Sequence, residues 1–186
     1  MSEPNSLFAK IHISKENYDA FLKSNPQSST LDKNWLDWWE SKEMYGKMEL
    51  TQTYIYCYED PTNEAIVNGW LNAKQSFTFS DYDAINEIWH FGIILFSENY
   101  LEMIPMLVFF KSLAPYIKND DSFVVVYNFF WGGNEVNAYL TYKEKEGWLD
   151  KTVQTKLDID AKQLEYANEY LAKKLEGFSN DESMID

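Results

Sequence analysis

The chain has 186 residues and a formal net charge of −14, with 30 acidic residues against 16 basic ones, every one of them lysine. This length suits one domain whose core needs no covalent staples. The negative balance and the absence of arginine, the side chain best matched to phosphate and guanine, argue against nucleic acid or an anionic membrane as partner. A basic protein is the natural electrostatic complement, since opposite charge speeds encounter and rejects wrong partners.

Cys57 is the single cysteine and there are two histidines, so neither an internal disulfide nor a closed zinc site is expected. The start MSEPNSLFAK has no signal-peptide layout, and no apolar run approaches the roughly 20 residues that span a bilayer. A cytoplasmic protein is the expectation. Aromatic residues make up 17% of the chain, including 7 Trp and 13 Tyr. That is more aromatic surface than one core needs, which leaves some to face a partner.

Taken in chain order, residues 7–13 alternate and predict a first strand. Leu7, Ala9, Ile11 and Ile13 share one face, with Phe8, Lys10 and His12 on the other. Ser14 is placed to cap a short helix carrying Tyr18, Phe21 and Leu22, which ends before Asn25-Pro26. In LDKNWLDWWESK, Leu31, Trp35, Trp38 and Trp39 fall at helical spacing, and core packing is the favoured use of the three tryptophans.

Residues 50–58 read LTQTYIYCY and alternate, with Gln52, Tyr54, Tyr56 and Tyr58 on one face as an amphipathic tyrosine stripe. Asp60-Pro61 then looks like a helix start, with Ile66, Val67, Trp70 and Leu71 as the buried stripe. Phe77 and Phe79 predict a short strand, and Ser80-Asp81-Tyr82-Asp83 a polar turn after it.

The runs at 88–96 and 123–130 are apolar on both alternating faces, as in strands covered on both sides. Between them, Ser97 can cap a segment starting at Glu98, which Pro105 would kink; the alternative is a helix that starts near Pro105 and carries the uninterrupted apolar run Met106–Phe110. Strand, helix, strand in that order is a crossover that leaves the two strands parallel. A turn at Trp131-Gly132-Gly133-Asn134 leads back into the alternating strand 136–142, with Val136, Ala138, Leu140 and Tyr142 on one face. Last comes a helix opened by Asp160 and Gln163 at capping-box spacing, with a stripe of Leu164, Ala167, Leu171 and Leu175 and an exit at Gly177.

Together these elements predict an α+β domain over residues 1–178, with a mixed sheet of about six strands, a C-terminal β-hairpin and about four to five flanking helices. Residues 179–186 read as an acidic tail without fixed structure.

No catalytic signature accompanies either histidine, no metal spacing is present, and no cofactor is implied. Charge is distributed more informatively. No lysine lies between Lys74 and Lys111, whereas Asp81, Asp83, Glu87, Glu98 and Glu102 do. Glu59 and Asp60 stand beside the tyrosine stripe. Acidic groups around aromatic anchors suit a steered interface, and the candidate partner-binding residues are Glu59, Asp60, Asp81, Tyr82, Asp83, Tyr56, Tyr58 and Trp131.

The segments FGIILFSENYLEMIPMLVFF and VVVYNFFWGGNEVNAYL, in a small acidic aromatic-rich chain, resemble the immunity proteins of bacterial polymorphic-toxin systems. These include the Rhs, contact-dependent-inhibition and type VI secretion families. The resemblance implies a non-enzymatic inhibitor that binds a cognate toxin, with a basic cytoplasmic nuclease as the expected partner. It carries over no individual residue. Two other readings stay open: a DNA-mimicking inhibitor with carboxylates spaced like phosphates, and a carboxylate-pair enzyme such as a glycan hydrolase.

Overall fold

The first strand in sequence is the middle of the molecule. In the computed structural model, which describes residues 2–119 and 121–181, β1 (Asn5–His12) is flanked on both sides. The other strands are β2 (Thr78–Asp83), β3 (Ile88–Ser97), β4 (Phe123–Tyr127), β5 (Val136–Lys143) and β6 (Glu146–Leu149). They form one sheet in the order β2-β3-β1-β4-β5-β6. Each adjacent pair is antiparallel.

Because β3 and β4 both run against β1, they run parallel to each other. The expected crossover is present, carried by α4 (Tyr100–Ser112), and β1 fills the space between its two strands. The sheet therefore has no parallel ladder.

Two helical layers cover the sheet. On one face lie α1 (Lys15–Lys23), α2 (Lys33–Ser41), α3 (Asn63–Asn72) and α4, packed on Leu7, Ala9, Ile11, Trp89, Phe91 and Leu140. On the other face α5 (Ala161–Ser179) lies alone over Phe8, Phe79, Val125 and Tyr139. Burial on both faces is why 88–96 and 123–127 read as unbroken apolar runs. Six strands and five helices in this arrangement make the α+β fold that the sequence predicts. All three tryptophans of α2 are buried, at 5% exposure or less.

Several local expectations are corrected. Residues 50–58 form no strand. Gln52–Tyr54 is a 3-10 turn, and the Gln52 side chain accepts from Leu31 N and donates to Ser29 O, tying the segment to the linker before α2. Those bonds override the alternation. Thr62, not Asp60, caps α3, accepting from Ala65 N, and Leu71 is exposed. Ser80–Asp83 makes up the last four residues of β2, held by pairing to β3, and the turn comes after it. Asn99 caps α4 at Leu101 N, so that helix starts at Tyr100 and carries Pro105 inside it, buried on every side.

The connection from β4 to β5 is a longer loop over 128–135, with Gly132 at φ 81° supplying the left-handed turn residue. Val136 faces α5 rather than joining Ala138, because the register shifts there. β6 was not expected. It is four residues long and follows a tight turn with Glu144 and Lys145 both at positive φ. Asp160 caps α5 as predicted, accepting from Gln163 N, but Gln163 accepts the Tyr139 hydroxyl instead of completing a capping box. The helix passes Gly177 and ends at Ser179. Of the predicted tail, residues 182–186 lie outside the described residues.

Candidate partner-binding cleft

The residues proposed from sequence do not converge. Asp81 and Asp83 lie on the α5 side of edge strand β2, and Tyr82 between them turns toward α1. Asp81 pairs with Lys174 at 2.6 Å and accepts from the Tyr170 hydroxyl at 3.0 Å. Asp83 accepts from Ile85 N at 3.0 Å, Asn86 N at 3.1 Å and Asn86 Nδ2 at 2.7 Å. The Asn86 bonds hold its carboxyl below the usual range. Tyr82 donates to Ile13 O at 2.9 Å and stacks on Tyr18 at 4.6 Å.

Tyr56, Tyr58, Glu59 and Asp60 belong to the helical layer on the opposite face, between α2 and α3. Tyr56 is exposed, while burial pushes the Tyr58 phenol well up. Trp131 stands at the far end of the sheet from Asp83: β1 pairs Ser6 with Tyr127 at one end, and His12 with Ile88 beside Asp83 at the other. The lysine-free stretch of sequence is also not lysine-free in space, since Lys174 and Lys118 come in to pair with Asp81 and Glu87.

An acidic cleft with aromatic residues beside it does occur, at the Trp131 end. A cavity of about 560 Å³ opens where β1 begins, β4 ends and β5 begins. Four carboxylates line it from four places in the chain: Glu3 before β1, Glu43 after α2, Glu98 before α4 and Glu135 at the end of the 128–135 loop. None of the four has an ion-pair partner among the described residues, unlike Asp19, Asp37, Asp81 and Glu87. Glu3 N donates to Glu98 Oε2 at 3.2 Å, which fixes two of the acidic segments side by side.

The base of the cleft is built by α2 on a β-bulge. Val126 pairs with Ala138 but Tyr127 pairs with Val136, so Asn137 is the extra residue. Trp38 Nε1 donates to Asn137 O at 3.0 Å. Lys42, the C-cap of α2, donates its Nζ to Val136 O and Val153 O, each at 3.0 Å, and to Gln154 Oε1 at 3.3 Å. Lys42 is 2% exposed, and burial pulls its pKa down to about 8. Its three bonds make it the clamp of the bulge.

Asn137 is 5% exposed and lines the cleft, and its Oδ1 has no hydrogen-bond partner among the described residues. Beside it is Tyr100, whose ring packs on Trp38 at 6.0 Å. Burial pushes the Tyr100 phenol up, with the Asn137 amide pulling the other way.

The loop that carries Glu135 also carries the aromatic residues. Phe130 and Trp131 are 43% and 41% exposed and pack edge to face at 4.9 Å. Trp131 N donates to Asn128 Oδ1 at 3.2 Å, and Asn128 lines the cleft, so the aromatic pair is tied to its wall.

None of the sequence candidates lines this cleft, and Trp131 comes nearest, through its backbone bond to Asn128; Glu98 was visible as part of the lysine-free stretch. Glu3, Glu43, Glu135, Asn137, Tyr100 and Phe130 were missed. Their only common signal is position in the fold.

A second cleft of about 380 Å³ lies between α2, the end of α4 and the β5–β6 hairpin. Its central group is Lys111, which donates to Asn34 Oδ1 at 2.7 Å, lies 4.7 Å from the Trp35 ring centre and is pulled by burial to about 8. Asn34 also exchanges two bonds with the Leu149 backbone. These polar groups are matched to one another and fasten β6 to the helices. Among the described residues no group of three or more His, Cys, Asp or Glu is placed to hold a metal ion. No helix among them is long and apolar enough to cross a membrane.

Comparison with protein-family models, with curated proteins and with solved structures returns no match.

Proposed function

We propose that this chain is an immunity protein: a cytoplasmic, non-enzymatic binder that neutralises a cognate toxin by covering its basic active-site surface. A nuclease is the class of toxin that fits, because a surface built to hold phosphates is cationic and accepts carboxylates in their place. The observation that carries the reading is the cleft at the β1–β4–β5 end. Four carboxylates line it, and two exposed aromatic rings stand on the loop that supplies Asn128 and Glu135 to its wall.

Some acidic residues elsewhere are answered by lysines from neighbouring elements, as at Asp81 and Lys174 and at Glu87 and Lys118, and what sets the cleft apart is that four carboxylates line one cavity. Unpaired carboxylates gathered in one place repel one another and weaken the free protein, whereas a cationic partner turns that repulsion into attraction. Exposed Trp and Phe at the edge supply the desolvated contact area that such interfaces use as anchors. In this reading the acidic rim with aromatic anchors is the cleft with Phe130 and Trp131, in place of the dispersed set Glu59, Asp60, Asp81, Tyr82, Asp83, Tyr56 and Tyr58.

The test is protection from a toxin. The candidate is the C-terminal domain of any toxin-like reading frame encoded beside this chain. Co-expression with this chain should restore growth to cells poisoned by that domain, and the purified pair should form a stable complex. Growth arrest that persists at full expression of a folded chain would overturn the reading.

A further inference from the structure

The inner end of the cleft brings together groups that ask for one kind of ligand. Asn137 Oδ1 is a buried acceptor with no partner among the described residues, and leaving such a group unmatched is costly. Tyr100 beside it is half-buried and lines the cavity, its ring backed by Trp38 and Trp39 at 6.0 and 6.5 Å. Glu98 and Glu135 line the same cavity without ion-pair partners among those residues. Lys42 is close, yet all three of its protons are spent on Val136, Val153 and Gln154. The cleft therefore has acceptors to spare and its own cation is committed.

We infer that this recess takes one arginine side chain of the partner protein, with the guanidinium donating to the Glu98 and Glu135 carboxylates, its plane against the Tyr100 ring, and the Asn137 amide, closed to solvent in the free protein, turning its Oδ1 to accept from it. The inference rests on the reading of the cleft as the partner-binding surface and adds what enters it. Arginine suits the site better than lysine for three reasons. Its planar fork offers five donors, enough for an amide oxygen and two carboxylates at once. It is less strongly hydrated than an ammonium, so entering a recess costs it less. Its flat face stacks on an aromatic ring, which a point charge does not do as well.

The chain has no arginine of its own. Any arginine Nε–H resonance in a mixture therefore comes from the ligand, which makes the test clean. The ¹⁵N-labelled protein is titrated with acetyl-Gly-Arg-Gly-amide, with the lysine counterpart, and with spermidine. The readout is the Asn137 side-chain amide and the arginine Nε–H of the labelled peptide.

The expected result is a saturable shift at Asn137 with the arginine peptide, weaker binding of the lysine peptide, and no saturable Asn137 shift with spermidine. Glu98→Gln with Glu135→Gln, two exposed isosteric changes that leave the core untouched, should weaken the arginine peptide by about tenfold. The inference falls if Asn137 does not respond, if spermidine matches the arginine peptide, or if the double variant binds the peptide as well as the parent. These outcomes are separable from the functional reading. Toxin neutralisation without a response at Asn137 sinks only the arginine recess, and a response at Asn137 without neutralisation sinks only the immunity function.

Discussion

His90, which carries no catalytic signature in the sequence, is packed among aromatic rings. It is 5% exposed, its ring stacks on Tyr170 at 4.2 Å, and its Nε2 lies 2.6 Å from the Tyr166 hydroxyl. Burial, opposed by the Asp81 charge, holds its pKa down to about 4. The folded value is thus below the ordinary one of about 6.5. Stability from this group is complete above pH 6.5 and is lost as pH falls toward 4, because the unfolded chain takes up a proton that the folded chain refuses. The loss amounts to about 3 kcal/mol at most. His90→Phe keeps a flat ring against Tyr170 but cannot titrate. Urea denaturation should therefore show a fall between pH 6.5 and 4 that is shallower in the variant. Parallel curves for the two proteins would rule out His90 as the origin of the slope.

At the scale of elements, Gly92 shows how the sheet accepts α5. In the register Phe79–Gly92–Phe8 it is the residue across from two aromatic rings, and a Cβ there would come within 2.3 Å of the Phe79 ring and 3.2 Å of Leu7 O. Phe79 fills the space that a side chain on β3 would need, and Tyr170 of α5 packs on Phe79 at 5.6 Å. Gly92→Ala must push that ring into α5, at a cost of about 1–3 kcal/mol. A thermal or urea denaturation series should show this loss, with recovery when Phe79→Leu is added. A fully stable Gly92→Ala chain would mean that the ring is not confined by α5.

The same element explains what could be read in advance. Ser14 and Asp160 were found as caps because a cap is decided within a few residues. The apolar runs of β3 and β4 were found because burial on both faces leaves its own pattern. Ser80–Asp83 was read as a turn because its strand conformation is imposed by β3, which lies later in the chain. The tyrosine alternation at 50–58 misled for the opposite reason: a pattern suited to a strand was captured by Gln52 bonding to the linker before α2. The cleft was least visible of all. Glu3, Glu43, Glu98 and Glu135 are isolated in sequence and become neighbours only when β1, α2, α4 and β5 assemble.

For the whole molecule the question is where a charge of −14 is directed. Lysines answer part of it: Lys15 at Asp19, Lys33 and Lys151 at Asp37, Lys118 at Glu87, and Lys174 at Asp81. Such exposed pairs add little to stability, but they flatten the local field. What they leave unanswered includes the four glutamates of the cleft, beside Phe130 and Trp131. Charge reversal on β2 and charge reversal in the cleft should therefore have different consequences. Changing Asp81 disturbs Lys174 and Tyr170, a matter of stability, whereas changing Glu98 and Glu135 alters the field a partner meets.

The most direct measurement of the central claim is the association rate constant with the cognate toxin domain, followed by stopped flow from about 0.05 to 0.5 M salt. Three folded proteins are compared: the parent chain, Glu98→Lys with Glu135→Lys, and Glu59→Lys with Asp60→Lys as a charge-matched control. The cleft variant should associate at least about tenfold more slowly at low salt, with a flattened salt dependence, while the control stays near the parent. Equal slowing of both variants, or loss confined to the control, would contradict the cleft as the docking site.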